Sequence, residues 1–152
     1  MKLFNQPECF RELILRIDGV RADTPRKWGK MNAAQMICHL TDSFRGVMGR
    51  RPVEIPARYF GRRLVKWVAL STPMRWPQGV PTRPEIDQFK GGTPPGVYEA
   101  DVRDLRAIMV EFAQMPRGFE FQAHPIFLEV TEEEWMRWGY RHVDHHLRQF
   151  GH

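Results

Sequence analysis

The 152-residue chain has very few cysteines and no long apolar runs. Its two thiols, Cys9 and Cys38, fall in different predicted helices and lack a metal-binding spacing such as Cys-x-x-Cys. This argues against a disulfide framework and predicts reduced thiols in the cytoplasm. The apolar run Trp67-Val68-Ala69-Leu70 is far too short to cross a bilayer, so we expect no membrane association. The N-terminal residues lack the apolar core of a secretory signal, so export is not expected.

Alternating strand patterns and internal repeats are missing as well. Apolar residues recur instead at the three-and-four spacing of amphipathic helices. A hydrophobic content of 42% with 27% charged residues is that of an ordinary globular protein, and 152 residues suffice for one domain with its own core. We therefore predict a single all-α domain over residues 1–152, in which four helices form a bundle and a shorter extra helix lies in the central connection.

Start and stop signals place the predicted helices along the chain. Asn32 with Gln35, and Thr131 with Glu134, have the spacing of capping boxes at the starts of the second and last helices. The segment 71–96 contains six prolines and four glycines, a density that excludes regular structure and predicts a loop lying over the helices. The predicted helices cover residues 6–20, 32–49, 59–70, 98–114 and a last segment that begins at 131.

Three histidines in the predicted helices suggest a metal site. His142 and His146 are four residues apart and therefore share a face of the last helix, so two imidazoles can bind one ion. The same periodicity puts His39 beside the apolar stripe of the second helix, and packing of these helices can bring the three rings together. His145 falls on the far side of the last helix, where we expect it to face solvent. The alternative is that each histidine is an isolated boundary residue, and the pair lacks the glutamate that marks zinc proteases.

Other residues near this site have two interpretations each. His124 precedes a proline in a loop, where it serves either as a turn residue or as a further ligand or substrate contact. Trp135 shares the histidine side of the last helix and belongs either to the core or to the wall of a pocket. The residues that could orient the ligand rings are Gln35, Glu8, Glu12 and Asp144.

The whole chain has a net charge of +5, and its basic residues are concentrated in the central part of the sequence. The cluster comprises Arg50, Arg51, Arg58, Arg62, Arg63, Lys66 and Arg75, interleaved with Tyr59, Phe60, Trp67 and Trp76. Such a stretch could make the protein a non-catalytic module for nucleic acid or another acidic partner, with structural histidines. The alternative is a solvated face of an ordinary helical protein. Because no nucleic-acid-binding motif accompanies the cluster, we expect no nucleic-acid partner.

Three motifs together carry a family resemblance that extends over essentially the whole chain. They are Trp28-Gly29-Lys30-Met31-Asn32-Ala33-Ala34-Gln35-Met36 leading to His39, His124-Pro125-Ile126-Phe127-Leu128 before Thr131-Glu132-Glu133-Glu134-Trp135, and Gly139-Tyr140-Arg141-His142 through His145-His146-Leu147-Arg148-Gln149-Phe150-Gly151. With these motifs the chain resembles the DinB and YfiT-like superfamily, and within it a subfamily of unknown function. It departs from the pattern at Leu128, where related chains often have a glycine.

The resemblance implies a four-helix bundle of up-down-down-up topology, often a homodimer, that holds a divalent metal ion through His39, His142 and His146. Zinc or nickel is expected and iron is a further option, since imidazole suits all three ions. Related proteins include transferases and isomerases that use a low-molecular-weight thiol. A thiol-dependent S-transferase or isomerase acting on a small molecule is therefore implied, and a metal-dependent hydrolase is the alternative.

Overall fold

The structure, a computed structural model, describes residues 1–55 and 61–152, and this part of the chain is helical without a strand. The all-α prediction is confirmed. A single 3₁₀ turn, Pro84–Ile86, lies in the long connection between the third and fourth helices. The α-helices are α1 Pro7–Gly19, α2 Ala33–Val47, α3 Arg62–Ser71, α4 Tyr98–Ala113 and α5 Glu132–Gln149.

Local sequence signals explain where these helices begin. Both predicted capping boxes are present: the Gln35 amide N–H donates to the Asn32 side chain at 2.8 Å, and the Glu134 amide N–H donates to the Thr131 hydroxyl at 3.3 Å. Pro7 occupies the first turn of α1, where its missing N–H has no cost. The predicted start of α3, at residues 59 and 60, lies outside the described residues.

The helices pack mainly in two pairs, α2 along α4 and α1 along α5, while α2 and α3 both contact α5. An aromatic cluster occupies the core between them, because the ring centroids of Phe4, Phe44 and Phe112 lie 4.9 to 5.3 Å apart. Gly139 of α5 permits this approach, since a Cβ there would lie 2.8 Å from the Phe112 ring. No helix in the described ranges is long and apolar enough to cross a membrane.

The second helix is buried on nearly all of its sides, including polar positions. Thr41 and Ser43 satisfy their hydroxyls within the helix, by donating to the carbonyls of Ile37 and His39. Asp42 has a fully buried side chain that contacts the segment 71–96. Because buried polar groups need hydrogen-bond partners, this polar side of α2 is stable only when a polar segment packs on it.

Asp42 ties the long connection between α3 and α4 to α2. Its carboxylate accepts from the Thr93 amide at 2.7 Å, the Thr93 hydroxyl at 2.8 Å and the Gln88 side chain at 3.1 Å. Arg51 pairs with the same carboxylate at 3.1 Å and also donates to the carbonyls of Glu85 and Gly91. The irregular segment is therefore held by a buried, fully bonded charge.

Candidate metal centre

The structure brings the three predicted ligands together between α2 and α5. Each of His39, His142 and His146 offers one ring nitrogen, and these atoms all lie within 4.8 Å of one another. The ring centroid of His39 lies 5.4 Å from that of His142 and 4.8 Å from that of His146. Because His142 and His146 are one helical turn apart, the backbone of α5 fixes their separation. The group could hold a metal ion.

Burial keeps the three imidazoles in the form that binds metals. Desolvation lowers the pKa of His39 below its ordinary value, and it lowers the pKa of His142 and of His146 well below it. Mutual repulsion among the rings acts in the same direction for His142 and His146. All three rings are therefore neutral near pH 7, which is the state a metal ligand needs.

Two of the rings are oriented by hydrogen bonds at Nδ1. His39 Nδ1 lies 2.8 Å from the Ile86 carbonyl oxygen, which can only accept, so this nitrogen carries the proton. His146 Nδ1 lies 3.0 Å from Gln149 Oε1. The Gln149 amide nitrogen donates to the Trp28 carbonyl at 2.8 Å, which turns its oxygen toward His146. Both rings therefore leave Nε2 unprotonated, with its lone pair available.

The third ring provides the test of whether the group suits an ion. His142 Nδ1 is buried and has no hydrogen-bond partner. A buried polar atom without a partner costs free energy, and such atoms are rare unless a ligand completes them. Three neutral nitrogen donors, two of fixed tautomer and one buried atom without a partner, fit a divalent transition ion.

Tryptophans and a clamped segment wall the site. The ring of Trp138 lies 4.9 Å from His142, and that of Trp76, from the segment after α3, lies 6.0 Å from it. Arg141 fixes this segment because its guanidinium donates to the carbonyls of Thr72 and Met74 and lies 5.8 Å from the Trp76 ring centroid. The residue beside a ligand histidine thus holds one wall in place.

The prediction that His145 faces solvent is wrong. Its ring is half-buried, 6.0 Å from both Trp28 and Trp76 and 5.2 Å from His146. Burial, with the nearby Arg148 charge, lowers the pKa of His145 to about 4. Periodicity correctly placed His145 away from the apolar stripe of α5. The segments that precede α2 and follow α3, however, cover that side of the helix.

The four residues predicted to orient the ligand rings make no hydrogen bond to these rings in the part of the chain that the structure describes. Gln35 is part of the α2 capping box and Glu8 is exposed. Glu12 pairs with Lys2, Arg16 and Tyr140, and Asp144 pairs with Arg16 and Arg148. The ring partners that the sequence reasoning missed are the Ile86 carbonyl and Gln149. For Gln149 a signal existed, since it lies three residues beyond His146 and so on the same face.

His124 is a turn residue. Its Nδ1 accepts from the amides of Ile126 at 3.1 Å and Phe127 at 3.2 Å, and its backbone pairs with Leu128 in an isolated bridge. Leu128 has φ of 61°, in the left-handed region that favours glycine. Trp135 is 1% exposed against Phe121 and Trp138, so it belongs to the core.

The His124 turn makes the stability of the metal-free protein sensitive to acid. Burial lowers the pKa of His124 from 6.5 to about 3. Between these two pH values the histidine is protonated in the unfolded chain and neutral in the folded chain. Stability is therefore lost as the pH falls. Between pH 7 and pH 5 this residue alone should cost about 2 kcal/mol.

A His124→Asn variant keeps a side-chain acceptor and removes the titration. Urea unfolding at pH 7 and pH 5 should show a smaller drop for this variant than for the wild type, by about 2 kcal/mol. His152→Asn is the matched control, since it removes a histidine outside the turn. Equal pH dependence in the wild type and His124→Asn would contradict the assignment.

Part of the basic central stretch is engaged in intramolecular contacts. Three of its members pair with acidic residues of other elements: Arg50 with Glu111 at 2.5 Å, Arg51 with Asp42 at 3.1 Å, and Lys66 with Glu134 at 3.1 Å. Others lie outside the described residues, namely Arg58, Tyr59 and Phe60. Arg51, one of the residues considered for binding an acidic partner, instead links Asp42 of α2 to the segment 71–96. The stretch thus offers less free charge than its composition indicates.

No family model, curated protein or solved structure gives a significant match to this chain.

Proposed function

We propose that the protein is a divalent-metal-dependent enzyme of the DinB and YfiT-like superfamily, with His39, His142 and His146 as its metal ligands. The observation that carries the proposal is the convergence of three neutral imidazole nitrogens within 4.8 Å. The helix order and the α2–α4 and α1–α5 pairings are consistent with a four-helix bundle of up-down-down-up topology, to which α3 is added. A homodimer is part of the same proposal.

The donor set favours a catalytic rather than a structural site. Structural zinc sites are usually closed by four protein ligands, commonly cysteines, whereas catalytic sites have three and keep a position open. Both cysteines are buried free thiols outside the histidine group. A divalent ion, zinc or nickel by preference with iron as a further option, supplies Lewis acidity that favours the deprotonated form of a thiol or water.

The chain's own groups would then orient and shield the reacting molecules. The Ile86 carbonyl and Gln149 hold two ligand rings in one tautomer, while Trp76 and Trp138 keep water from one side of His142. The reaction class we propose is transfer or isomerisation that uses a low-molecular-weight thiol, with a small electrophilic molecule as substrate. Hydrolysis of an ester or amide bond is the alternative on the same site.

The two reaction classes are separated by thiol dependence. Protein loaded with zinc or nickel is mixed with 2-mercaptoethanol and 1-chloro-2,4-dinitrobenzene, and thioether formation is followed by absorbance. We expect a rate above that of thiol alone which is lost in the metal-free protein and in His39→Ala, but retained in His152→Ala. Hydrolysis of 4-nitrophenyl acetate without any thiol effect would support the hydrolase instead. Activity unaffected by metal removal would refute the proposal.

A further inference from the structure

The third helix carries its apolar side outward. Leu64, Trp67, Val68 and Ser71 follow the three-and-four spacing of a single helix face, with Val65 at its edge. Leu64 is 65% exposed, Trp67 58% and Val65 37%. Surface helices usually turn such an apolar stripe toward the core. The outer face of α3, formed by these five residues, is instead largely open to solvent within the part of the chain that the structure describes.

The polar side of α3 faces the protein. The Lys66 ammonium donates to the Glu129 carbonyl at 3.0 Å and pairs with the Glu134 carboxylate of α5 at 3.1 Å. Leu70, one turn after Lys66, is fully buried. An ion pair and a buried leucine therefore set the orientation of α3 against α5. The outward position of the apolar residues follows from these contacts.

The charges of α3 favour a protein partner over an anionic surface. Of the three cations on this helix, Arg62 and Lys66 are half-buried and only Arg63 is exposed. A membrane surface or a nucleic acid would be held by several exposed cations on the binding face. A face with a tryptophan, a leucine and little charge is instead typical of contacts between protein subunits.

The size of the face suits a second copy of the chain. Met74, three residues after α3, is 62% exposed. Together with Leu64, Val65 and Trp67 it leaves roughly 500 Å² in solvent, more than half of the about 800 Å² that each partner buries in a standard interface. In a two-fold symmetric dimer the same face serves both partners, so no second apolar surface is needed.

An antiparallel arrangement makes the outer face of α3 self-complementary. Leu64, near the start of one helix, then lies opposite the small Ser71 near the end of the other, and Trp67 lies close to the two-fold axis. The two Arg63 side chains fall at opposite ends, each beside the carbonyl end of the partner helix, whose last turn has no basic residue. Arg141, a cation at that end, is already bonded to two carbonyls beyond the helix.

We propose that the outer face of α3 is the interface through which two copies of this chain form a two-fold symmetric dimer. The inference rests on the proposed function only in giving its homodimer a surface, and it does not involve the metal ligands. The chain leads from α3 directly to Trp76, whose ring lies 6.0 Å from that of His142. The dimer therefore fixes a helix that supports one wall of the metal centre.

The test measures the dimer dissociation constant by analytical ultracentrifugation of the full chain. Leu64→Glu places a charge on both sides of the apolar contact. Because a symmetric interface carries every substitution twice, we expect the dissociation constant to rise at least about a hundredfold. Leu15→Glu is the matched control, since Leu15 on α1 is also 65% exposed, and it should dimerise as the wild type does. The zinc content should be the same in all three proteins.

Chemical crosslinking locates the contact independently. Trp67→Cys should form a covalent dimer with a short bismaleimide, because the two introduced thiols lie close to the two-fold axis. Leu15→Cys should not, and neither should the wild type, whose two cysteines are buried.

A wild type that stays monomeric at about 100 µM would overturn the interface, also if it binds vesicles containing phosphatidylserine and Leu64→Glu does not. Equal dissociation constants for Leu64→Glu and the wild type would place the dimer contact on another surface and overturn it as well. A wild-type dimer that binds no zinc would instead overturn the proposed metal-dependent function and leave the interface standing.

Discussion

Replacement of His142 by alanine is expected to lower the affinity for zinc about a hundredfold. Structural zinc sites with four ligands bind with about 10 to 16 kcal/mol, or about 3 kcal/mol per ligand, which corresponds to two orders of magnitude. The metal-free variant should lose little stability beyond its packing, because His142 Nδ1 has no hydrogen bond to lose. Elemental analysis after dialysis against a weak chelator, together with urea unfolding of the metal-free protein, measures both quantities.

A graded series makes this experiment sharper. Gln149→Leu removes the acceptor of His146 Nδ1 without removing a ligand, and such changes typically weaken metal binding 10- to 100-fold. Gln114→Leu, at an exposed glutamine that caps α4 far from the histidines in sequence, should bind as the wild type does. Unchanged zinc content in His142→Ala would show that His142 is not a ligand, whatever the result for Gln149.

Substitution of Asp42 by alanine is expected to destabilise the protein by about 3 to 5 kcal/mol, the usual cost of removing one partner from a buried ion pair. The change removes the carboxylate partner of Arg51 and leaves the Thr93 amide and the Gln88 side chain without their acceptor. The segment that carries Ile86 should then open locally. Urea unfolding measures the loss, and amide hydrogen exchange locates it at residues 84–93.

The control for this change is Asp104→Ala. Asp104 has a side chain that is 67% exposed and pairs only at 3.7 Å with Arg45, so its loss should cost less than 1 kcal/mol. Asp42→Asn, which keeps an acceptor but not the charge, should fall between the two. If Asp42→Ala and Asp104→Ala have equal free energies of unfolding, the ion pair between Asp42 and Arg51 does not stabilise the fold as proposed.

The parts of the fold and site that could be predicted are those that depend on local periodicity. The capping boxes at Asn32 and Thr131 set two helix starts, and both are present. The spacing of His142 and His146 fixed their common face, because the geometry of one helical turn does not depend on the rest of the chain. His39 lies with them because its helix, α2, contacts α5.

The parts that could not be predicted depend on the irregular segments. Helical periodicity says which side of α5 carries His145, but not that Trp28 and Trp76 cover that side. The Ile86 carbonyl that orients His39 is a backbone atom, and any residue type could supply it. Asp42 left only a weak sequence signal, an acid inside an otherwise buried helix, because the Thr93 amide that donates to it lies 51 residues away.

The tie between Asp42 and Thr93 also bears on the order of folding. Helix pairs such as α1 and α5 bury apolar surface as soon as they meet, whereas the polar side of α2 gains only when the loop arrives. Closing a loop of about fifty residues carries an entropic cost that those few polar bonds must exceed. We expect the helices to assemble first and the loop to dock afterwards, so that the ring of His39 acquires its final orientation late in folding.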